Sequence, residues 1–517
     1  MTPDIISETL QVDSSEAAVP GLTTRVVKGS LWMLGGQVLP LAVSFVATPF
    51  TIRLLGSDAY GVVILVGLIP MYFASADFGM GIASTKFGSE AYGDHDLRKE
   101  GEITRTAALI ALISSVCVAV PVFLFSDWLV ALFRLPGSLA NPANVAFKIA
   151  SVSFVLANLA QVLNTPMLAR LRMDMNILTS AIPRAAATAL IPVVLYLGGG
   201  VLGAVWTTFF AGVVSCGLVI YFSARLLPGL PQFSIDRAYF RPLLRFGSGW
   251  MIAGIAQILL LGLEKFALPS LVSIRALAYY SVAFTFAAVA AMFSSSMAQS
   301  LVPAFSQLLA PQKKGEFDKL FSRAVRVNIL CLFPVSMILL VIAKPFFTLW
   351  AGSEFGAESS TPFYILLVGL FFNVLSYVPH GTITARGRTD VFARLYWLEL
   401  LFYAVAVYFL IKWFGIAGAA AAWTMRVILD AVAIFFLSRK IANVPFPIRK
   451  GAFALAAAAI LLVPPALFAA LYDSSSPWLF VLTPAALALY ALVIWTSFIE
   501  PVEKQWIRAR ALGLLRA

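Results

Sequence analysis

The chain has 517 residues, of which 60% are apolar and only 12% are Asp, Glu, Lys or Arg, with a mean hydropathy of +0.90. A soluble domain carries about 25% charged residues, so this composition excludes an ordinary soluble fold and points to a bilayer. The three cysteines (Cys117, Cys216, Cys331) all lie in apolar stretches and the two histidines (His95, His380) lie far apart, so neither a disulfide framework nor a His-based metal or catalytic centre has much to build on.

Residues 1–28, with Asp4, Glu8, Asp13 and Glu16, form a polar N-terminal tail. No basic stretch leads into a short apolar segment there, so no cleavable signal is expected and the first apolar run should serve as an uncleaved anchor. Apolar runs of about 20 residues, the length that spans hydrocarbon as a helix, then follow one another. They cover 29–52, 60–81, 106–126, 144–166, 177–197, 201–222, 246–270, 277–303, 325–349, 362–384, 391–411, 415–437, 451–472 and 477–499. The expectation is an all-α polytopic membrane protein with about fourteen transmembrane helices, because each span must satisfy its own backbone in lipid. The boundaries divide the chain into an N-terminal tail (1–28), an N-lobe bundle of six helices (29–222), a linker (223–245) and a C-lobe bundle of six (246–440). Two additional helices (441–499) and a basic tail (500–517) complete it.

The net charge of +12 leaves nucleic acid as a candidate partner until the charges are located. With the N-terminus placed in the cytoplasm, most Lys and Arg fall in the tails and even-numbered loops, in clusters such as Lys86/Arg98/Lys99/Arg105 and Lys313/Lys314/Lys319/Arg323. The opposite face receives only Arg53, Arg134, Arg275, Lys344 and Lys412, and Lys148, Arg184, Lys265 and Arg426 lie within spans. This bias predicts cytoplasmic N- and C-termini. It also accounts for the positive charge without nucleic acid.

Three short motifs recur at nearly one offset. Gly29-Ser30-x-Trp32-Met33 returns as Gly247-Ser248-x-Trp250-Met251, Ala169-Arg170-x-Arg172-x-Asp174 as Ala385-Arg386-x-Arg388-x-Asp390, and Gly200-x-x-Gly203-Ala204 as Gly415-x-x-Gly418-Ala419. Their common order indicates a duplicated six-helix unit, and an even helix number makes the two copies parallel. Both ARxRxD copies fall in short connections, after the fourth and tenth spans. They read either as basic corners that fix topology or as phosphate or gate contacts.

The stretches GSLWMLGGQ (29–37), RLLGSDAYG (53–61) and ADFGMG (76–81), followed by Pro303-Ala304-Phe305-Ser306, TARGRTD (384–390) and GIAGAAAAW (415–423), carry a resemblance. From about residue 24 to about 440 the chain resembles the polysaccharide-biosynthesis flippases of the multidrug/oligosaccharidyl-lipid/polysaccharide exporter superfamily. The resemblance implies two six-helix bundles forming a V around a central cavity, in the bacterial inner membrane. It implies a cargo of polyprenyl-diphosphate-linked oligosaccharide, moved from the cytoplasmic to the outer leaflet by alternating access. Membrane lipids, a polysaccharide polymerase and glycosyltransferases are the partners it suggests. In some relatives the last two of fourteen helices form a lipid groove; here Pro464-Pro465 would kink the thirteenth span, which could equally pack peripherally.

A charged head group crossing about 30 Å of hydrocarbon needs a cavity with compensating charge, so ionisable residues within spans are the candidates. Arg184, with no acid within one helical turn, leads as a diphosphate contact, because a guanidinium binds phosphate in a fork. A salt bridge to Glu399 or Asp77 is its structural alternative. Lys265, beside Glu264, and Lys148 and Arg426 are further candidates for the head group. Glu264, Asp77, Glu399 and Asp430 could bind H⁺ or Na⁺ or serve in salt bridges; Arg426 and Asp430, four apart, can pair on one helix face. Gln37, Asn158, Gln161, Asn164, Gln257, Asn373 and Ser294–Ser296 could contact sugar or join helices.

No enzyme motif, Walker loop or cofactor signature is found. The expected function is a lipid-linked oligosaccharide flippase. Two alternatives stay open: an ion-coupled multidrug/cation antiporter of the same superfamily, and a non-transporting membrane scaffold for polysaccharide synthesis.

Overall fold

Backbone amides and carbonyls in hydrocarbon have no water to bind, and this chain satisfies them within helices. The computed structural model describes residues 20–227, 236–289, 311–444 (171 and 389 excepted), 477–497 and isolated positions between 291 and 308. In chain order the helices are α1 (Pro20–Tyr72), α2 (Met80–Gly93), α3 (Leu97–Leu124), α4 (Ser126–Leu132), α5 (Gly137–Leu163), α6 (Thr165–Ala169), α7 (Met173–Tyr196), α8 (Gly200–Leu226), α9 (Arg237–Leu271) and α10 (Ile274–Val289). Then follow α11 (Lys314–Ala351), α12 (Ser353–Glu358), α13 (Ser360–Ala385), α14 (Asp390–Ala442) and α15 (Pro477–Ser497). Among the described residues, nine helices are long and apolar enough to cross a membrane. The chain is an all-α polytopic membrane protein. The span expected at 451–472 lies outside the described residues, as do 1–19 of the N-terminal tail, 228–235 of the linker and the C-terminal tail. Residues 20–28, expected in the tail, already belong to α1, and most of the expected linker is the end of α8 and the start of α9.

Two of these helices are pairs of spans joined at a glycine. α1 breaks at Gly56 (φ 76°) and α14 at Gly415 (φ 57°). The span expected at 60–81 is itself interrupted: a 3₁₀ turn, Ala74–Asp77, separates the end of α1 from α2. Phe78 and Gly79 both take positive φ there (55° and 69°). The Asp77 carboxylate holds the break, accepting the amides of Gly79 and Gly81 at 2.8 Å each. A side chain at Gly79 would strike the carbonyl of Gly247 in α9, so glycine is required by both φ and space.

The chain contacts divide into two units. One takes in the described residues up to Leu54, with Val66–Asp127 and Asn141–Gly254. Its core joins α2, α3, α5 and the start of α9 through Met80, Ala83, Ile103, Ala107, Val162 and Leu243. Small buried residues such as Ala143, Ala146 and Ala150 let backbones approach where hydrophobic burial gives no drive inside lipid.

The other unit holds Leu55–Leu65, Trp128–Ala140 and the described residues from Ile255 onward. Phe305, Phe317, Phe321, Val325, Val378 and Ala442 form a core there. The segment after Gly56 is fixed by charge: Asp58 accepts both Nε (3.0 Å) and an Nη (2.6 Å) of Arg275. Beside it Glu354 accepts the hydroxyls of Tyr279 (2.9 Å) and Ser57 (3.3 Å). Both units carry large apolar side chains on the outside, Leu124, Phe125, Leu401, Phe402 and Phe436 each being more than 60% exposed. In water such patches would aggregate; in a bilayer they are the lipid contact.

Candidate functional site

The duplicated motifs adopt matching local structures. In ARxRxD the second arginine reaches forward two residues to the aspartate: Arg172 Nη donates to Asp174 at 2.9 Å and Arg388 Nε to Asp390 at 3.0 Å. Each aspartate lies in the first turn of the following helix, where a carboxylate complements the helix dipole. These ion pairs are exposed and join loop to helix. In GxxGA the first glycine takes positive φ at the helix junction in both copies, 54° at Gly200 and 57° at Gly415. The second glycine leaves room for the preceding helix: a side chain at Gly203 would strike Val194, and one at Gly418 the carbonyl of Leu410. The GSxWM copies involve side chains outside those described.

The first arginine of ARxRxD behaves differently in the two copies. Arg170 is 11% exposed and donates to both carboxylate oxygens of Glu100 (2.6 and 3.0 Å) and to the Leu226 carbonyl (3.3 Å), with its guanidinium 4.4 Å from the centre of the Tyr92 ring. Glu100 is fully buried. Nothing in the sequence singles it out, because its partner is 70 residues away in the chain.

Of the charges within spans, Arg184 in α7 is exposed, and among the described residues no carboxylate pairs with it. The large aliphatic residues that α7 exposes are Leu178, Ile182, Leu190 and Val193. At about 100° per residue they lie roughly 120–180° around the helix from Arg184. Arg184 instead shares its face with Ile177, Ala181 and Leu195, all buried. Ile177 packs over Gly36 of α1. Arg184 is thus exposed on the side of α7 opposite its exposed apolar stripe. Neither Glu399 nor Asp77 holds it: Asp77 caps α2 as described, and Glu399 meets Arg426.

Lys265 in α9 rests on an aromatic face, its ammonium 3.8 Å from the centre of the Phe284 ring. Phe284 stands edge-on to Trp423 at 5.4 Å. The adjacent Glu264 points elsewhere and is fully buried, accepting the hydroxyls of Tyr280 (3.1 Å) and Tyr403 (2.5 Å). Two phenols thus solvate that carboxylate, while its neighbouring cation rests on an aromatic ring in a cation–π contact. Lys148 in α5 is half-buried with its ammonium 5.7 Å from the Phe123 ring centre, and Phe123 is 43% exposed.

Arg426 contacts Glu399 at 3.5 Å across the two arms of α14, and not Asp430 one turn along its own helix. The helical spacing allowed the local pair, but the antiparallel arm brings a second buried carboxylate into reach. Glu399, Arg426 and Asp430 form a buried charged cluster. Glu399 and Arg426 also line an otherwise apolar cavity of about 260 Å³ with Leu398, Phe402, Met425 and Leu429. The amides and hydroxyls mostly join helices: Asn158 donates to Ser115 (2.9 Å), Thr165 to Ser84 (2.8 Å) and Asn164 to Asn176 (2.8 Å). Among the described residues no group of three His, Cys, Asp or Glu could hold a metal.

The described residues thus make a polytopic helical membrane protein with locally duplicated motifs and ionisable residues within its spans. The sequence profile of the family described as "Polysaccharide biosynthesis protein" matches residues 26–309, more than half the chain, and that of MatE matches 257–409. The chain belongs to the polysaccharide biosynthesis protein family, within the superfamily of multidrug, oligosaccharidyl-lipid and polysaccharide exporters. It is 22% identical over 422 residues, 81% of this chain and 99% of the relative, to a Shigella flexneri protein named for O-antigen transport. Over 35% of this chain and 45% of the relative it is 23% identical to the Staphylococcus aureus capsular polysaccharide biosynthesis protein CapF. Among solved structures the fold is similar to the lipid II flippase MurJ in an inward closed conformation (TM-score 0.71, 13% identity, 92% of this chain and 100% of that one). It is also similar to an inward-facing MATE multidrug transporter (TM-score 0.66, 13% identity, 79% and 98%).

Proposed function

We propose that the protein flips a polyprenyl-diphosphate-linked oligosaccharide from the cytoplasmic to the outer leaflet of a bacterial inner membrane by alternating access, with the ARxRxD corners on the cytoplasmic side. The observation that carries this reading is Arg184: an exposed guanidinium on the face of α7 opposite its apolar stripe, with no carboxylate partner among the described residues. Such a group lowers the barrier for an anionic head group and can bind a phosphate in a fork. Lys265, set against Phe284, adds a second cation whose contact a phosphate can replace or share. The names of the Shigella and Staphylococcus relatives agree with a polysaccharide pathway.

The test is lipid analysis in cells lacking the gene. Polyprenyl-diphosphate oligosaccharide should build up on the cytoplasmic leaflet, and wild type should relieve the build-up while Arg184→Ala does not. An unchanged lipid pool, in cells with no second flippase, overturns the reading. The multidrug antiporter stays as second reading because the MatE profile and a MATE fold neighbour also match. It predicts efflux of cationic drugs that is lost on removing Glu399 or Asp430.

A further inference from the structure

The two ARxRxD corners carry the same motif but opposite chemistry around its first arginine. Arg170 and Arg386 occupy equivalent places, each the residue that ends a helix: Arg170 after α6, Arg386 after α13. Arg170 is consumed by Glu100, from the first turn of α3. The burial pattern of α3 and α11 identifies the residue that stands in Glu100's place in the second half. Ile103, Ala107, Ile110, Ala111 and Ser114 are buried along α3, and Phe317, Phe321, Ala324, Val325 and Asn328 are buried at the same intervals along α11. In that register Glu100 corresponds to Lys314.

Lys314 reverses the sign at that position. Its ammonium donates to the carbonyl of Asn443 at 2.6 Å, at the end of α14, just as Arg170 donates to the Leu226 carbonyl at the end of α8. It also pairs with Asp318 at 2.6 Å. The lysine therefore occupies the carbonyl that the motif arginine occupies in the first half, and the acid that would neutralise the arginine is gone. Arg386 is left exposed, and among the described residues no carboxylate pairs with it. Ala385, the residue before it, packs on the Phe317/Phe321/Ala442 core, which keeps Arg386 at this corner beside α11. Asp390 does not compensate, being taken by Arg388 and approached by Arg394 (3.9 Å).

We infer that Arg386 is an anion receptor for a phosphate-bearing lipid head group, in a corner whose first-half twin shows the bidentate clasp this position can make. The inference deepens the flippase reading and rests on it for the placement of this corner at the cytoplasmic leaflet. Two sources offer the same chemistry there: the diphosphate of a polyprenyl-linked cargo, and an anionic bilayer phospholipid.

The experiment uses the full chain in nanodiscs of phosphatidylcholine, with fluorescent polyprenyl diphosphate as probe and phosphatidylglycerol as competitor. Arg386→Ala should weaken binding about tenfold or more, the scale of a lost charge-assisted hydrogen-bond pair. Lys314→Glu, which rebuilds the first-half pair and neutralises Arg386 without touching it, should weaken binding equally. Lys440→Ala, the same change of charge at an exposed site, should shift it less than about twofold. Displacement by phosphatidylglycerol at equal concentration identifies a bilayer phospholipid as occupant; resistance to it identifies the cargo. Unchanged binding in Arg386→Ala, or a loss no greater than in Lys440→Ala, overturns the inference. Should Lys314→Glu not fold, Arg386→Ala decides alone. Binding by Arg386 alongside a lipid pool that ignores the gene would mean that the flippase reading fails while the receptor stands.

Discussion

Arg184 and Arg170 show how context separates two arginines in one unit. Arg170 is buried against a buried carboxylate, so removing either partner strands a charge. Glu100→Gln should cost about 3–5 kcal/mol, read as an earlier melting transition of the purified protein. Arg172→Ala breaks only an exposed pair, and a stability change below about 1 kcal/mol is expected in the same measurement. Arg184→Ala should leave melting nearly unchanged while abolishing relief of the lipid build-up. A melting loss as large as that of Glu100→Gln would show instead that Arg184 is structural. The isolation of Arg184 was legible in the sequence, because no acid stands within a turn of it. The partners of Arg170 and Glu264 were not. Glu100, Tyr280 and Tyr403 reach their sites from other helices, and no local spacing announces a contact made across the fold.

At the scale of the element, the break between α1 and α2 is a small device with a definite chemistry. Both oxygens of Asp77 are used, each by one amide, in a turn that holds Phe78 and Gly79 at positive φ. Asp77→Asn keeps one acceptor and turns the other into a donor facing an N–H. A loss of about 1–3 kcal/mol is expected, the cost of an unsatisfied buried group, and Asp77→Ala should lose at least as much; equal stability of all three proteins would remove the capping role. The sequence reads 60–81 as one continuous span and Asp77 as an ion or salt-bridge residue, because hydropathy does not register a turn whose hydrogen bonds are satisfied by a single carboxylate. The GxxGA junctions were legible as a repeat and not as geometry. Their shared positive φ explains the first glycine, and Gly415→Ala should destabilise by about 1–3 kcal/mol, as expected for a residue forced into the left-handed region.

For the whole molecule, the alternation of Lys and Arg along the chain makes a topological prediction. With native cysteines replaced, Arg388→Cys should react with an impermeant thiol reagent only from the cytoplasmic side of the membrane, and Arg134→Cys only from the other; the reverse pattern would invert the assignment. The helical class and the duplication could be read from apolar run length and three short motifs, since both are encoded locally. The two contact units could not be read. The segment Leu55–Leu65 belongs by sequence with the first six spans but lies in the unit built mostly from the second half. Its attachment depends on single groups far along the chain, not on any periodic pattern.

That attachment has a consequence for biogenesis. Asp58 meets Arg275 across 217 residues, and Ser57 meets Glu354 across 297. At about 5–20 residues per second, the ribosome needs roughly 10–40 s to deliver the arginine after the aspartate, and longer for the glutamate. Throughout that interval, while the rest of the first six spans is being made, a carboxylate and a kinked helix end await partners that do not yet exist. A nascent chain arrested near residue 230 should therefore be cut by protease after Gly56, whereas the finished protein resists. Assembly of this segment is a late event, and quality control that senses unpaired charge beside the membrane has that long to act on it.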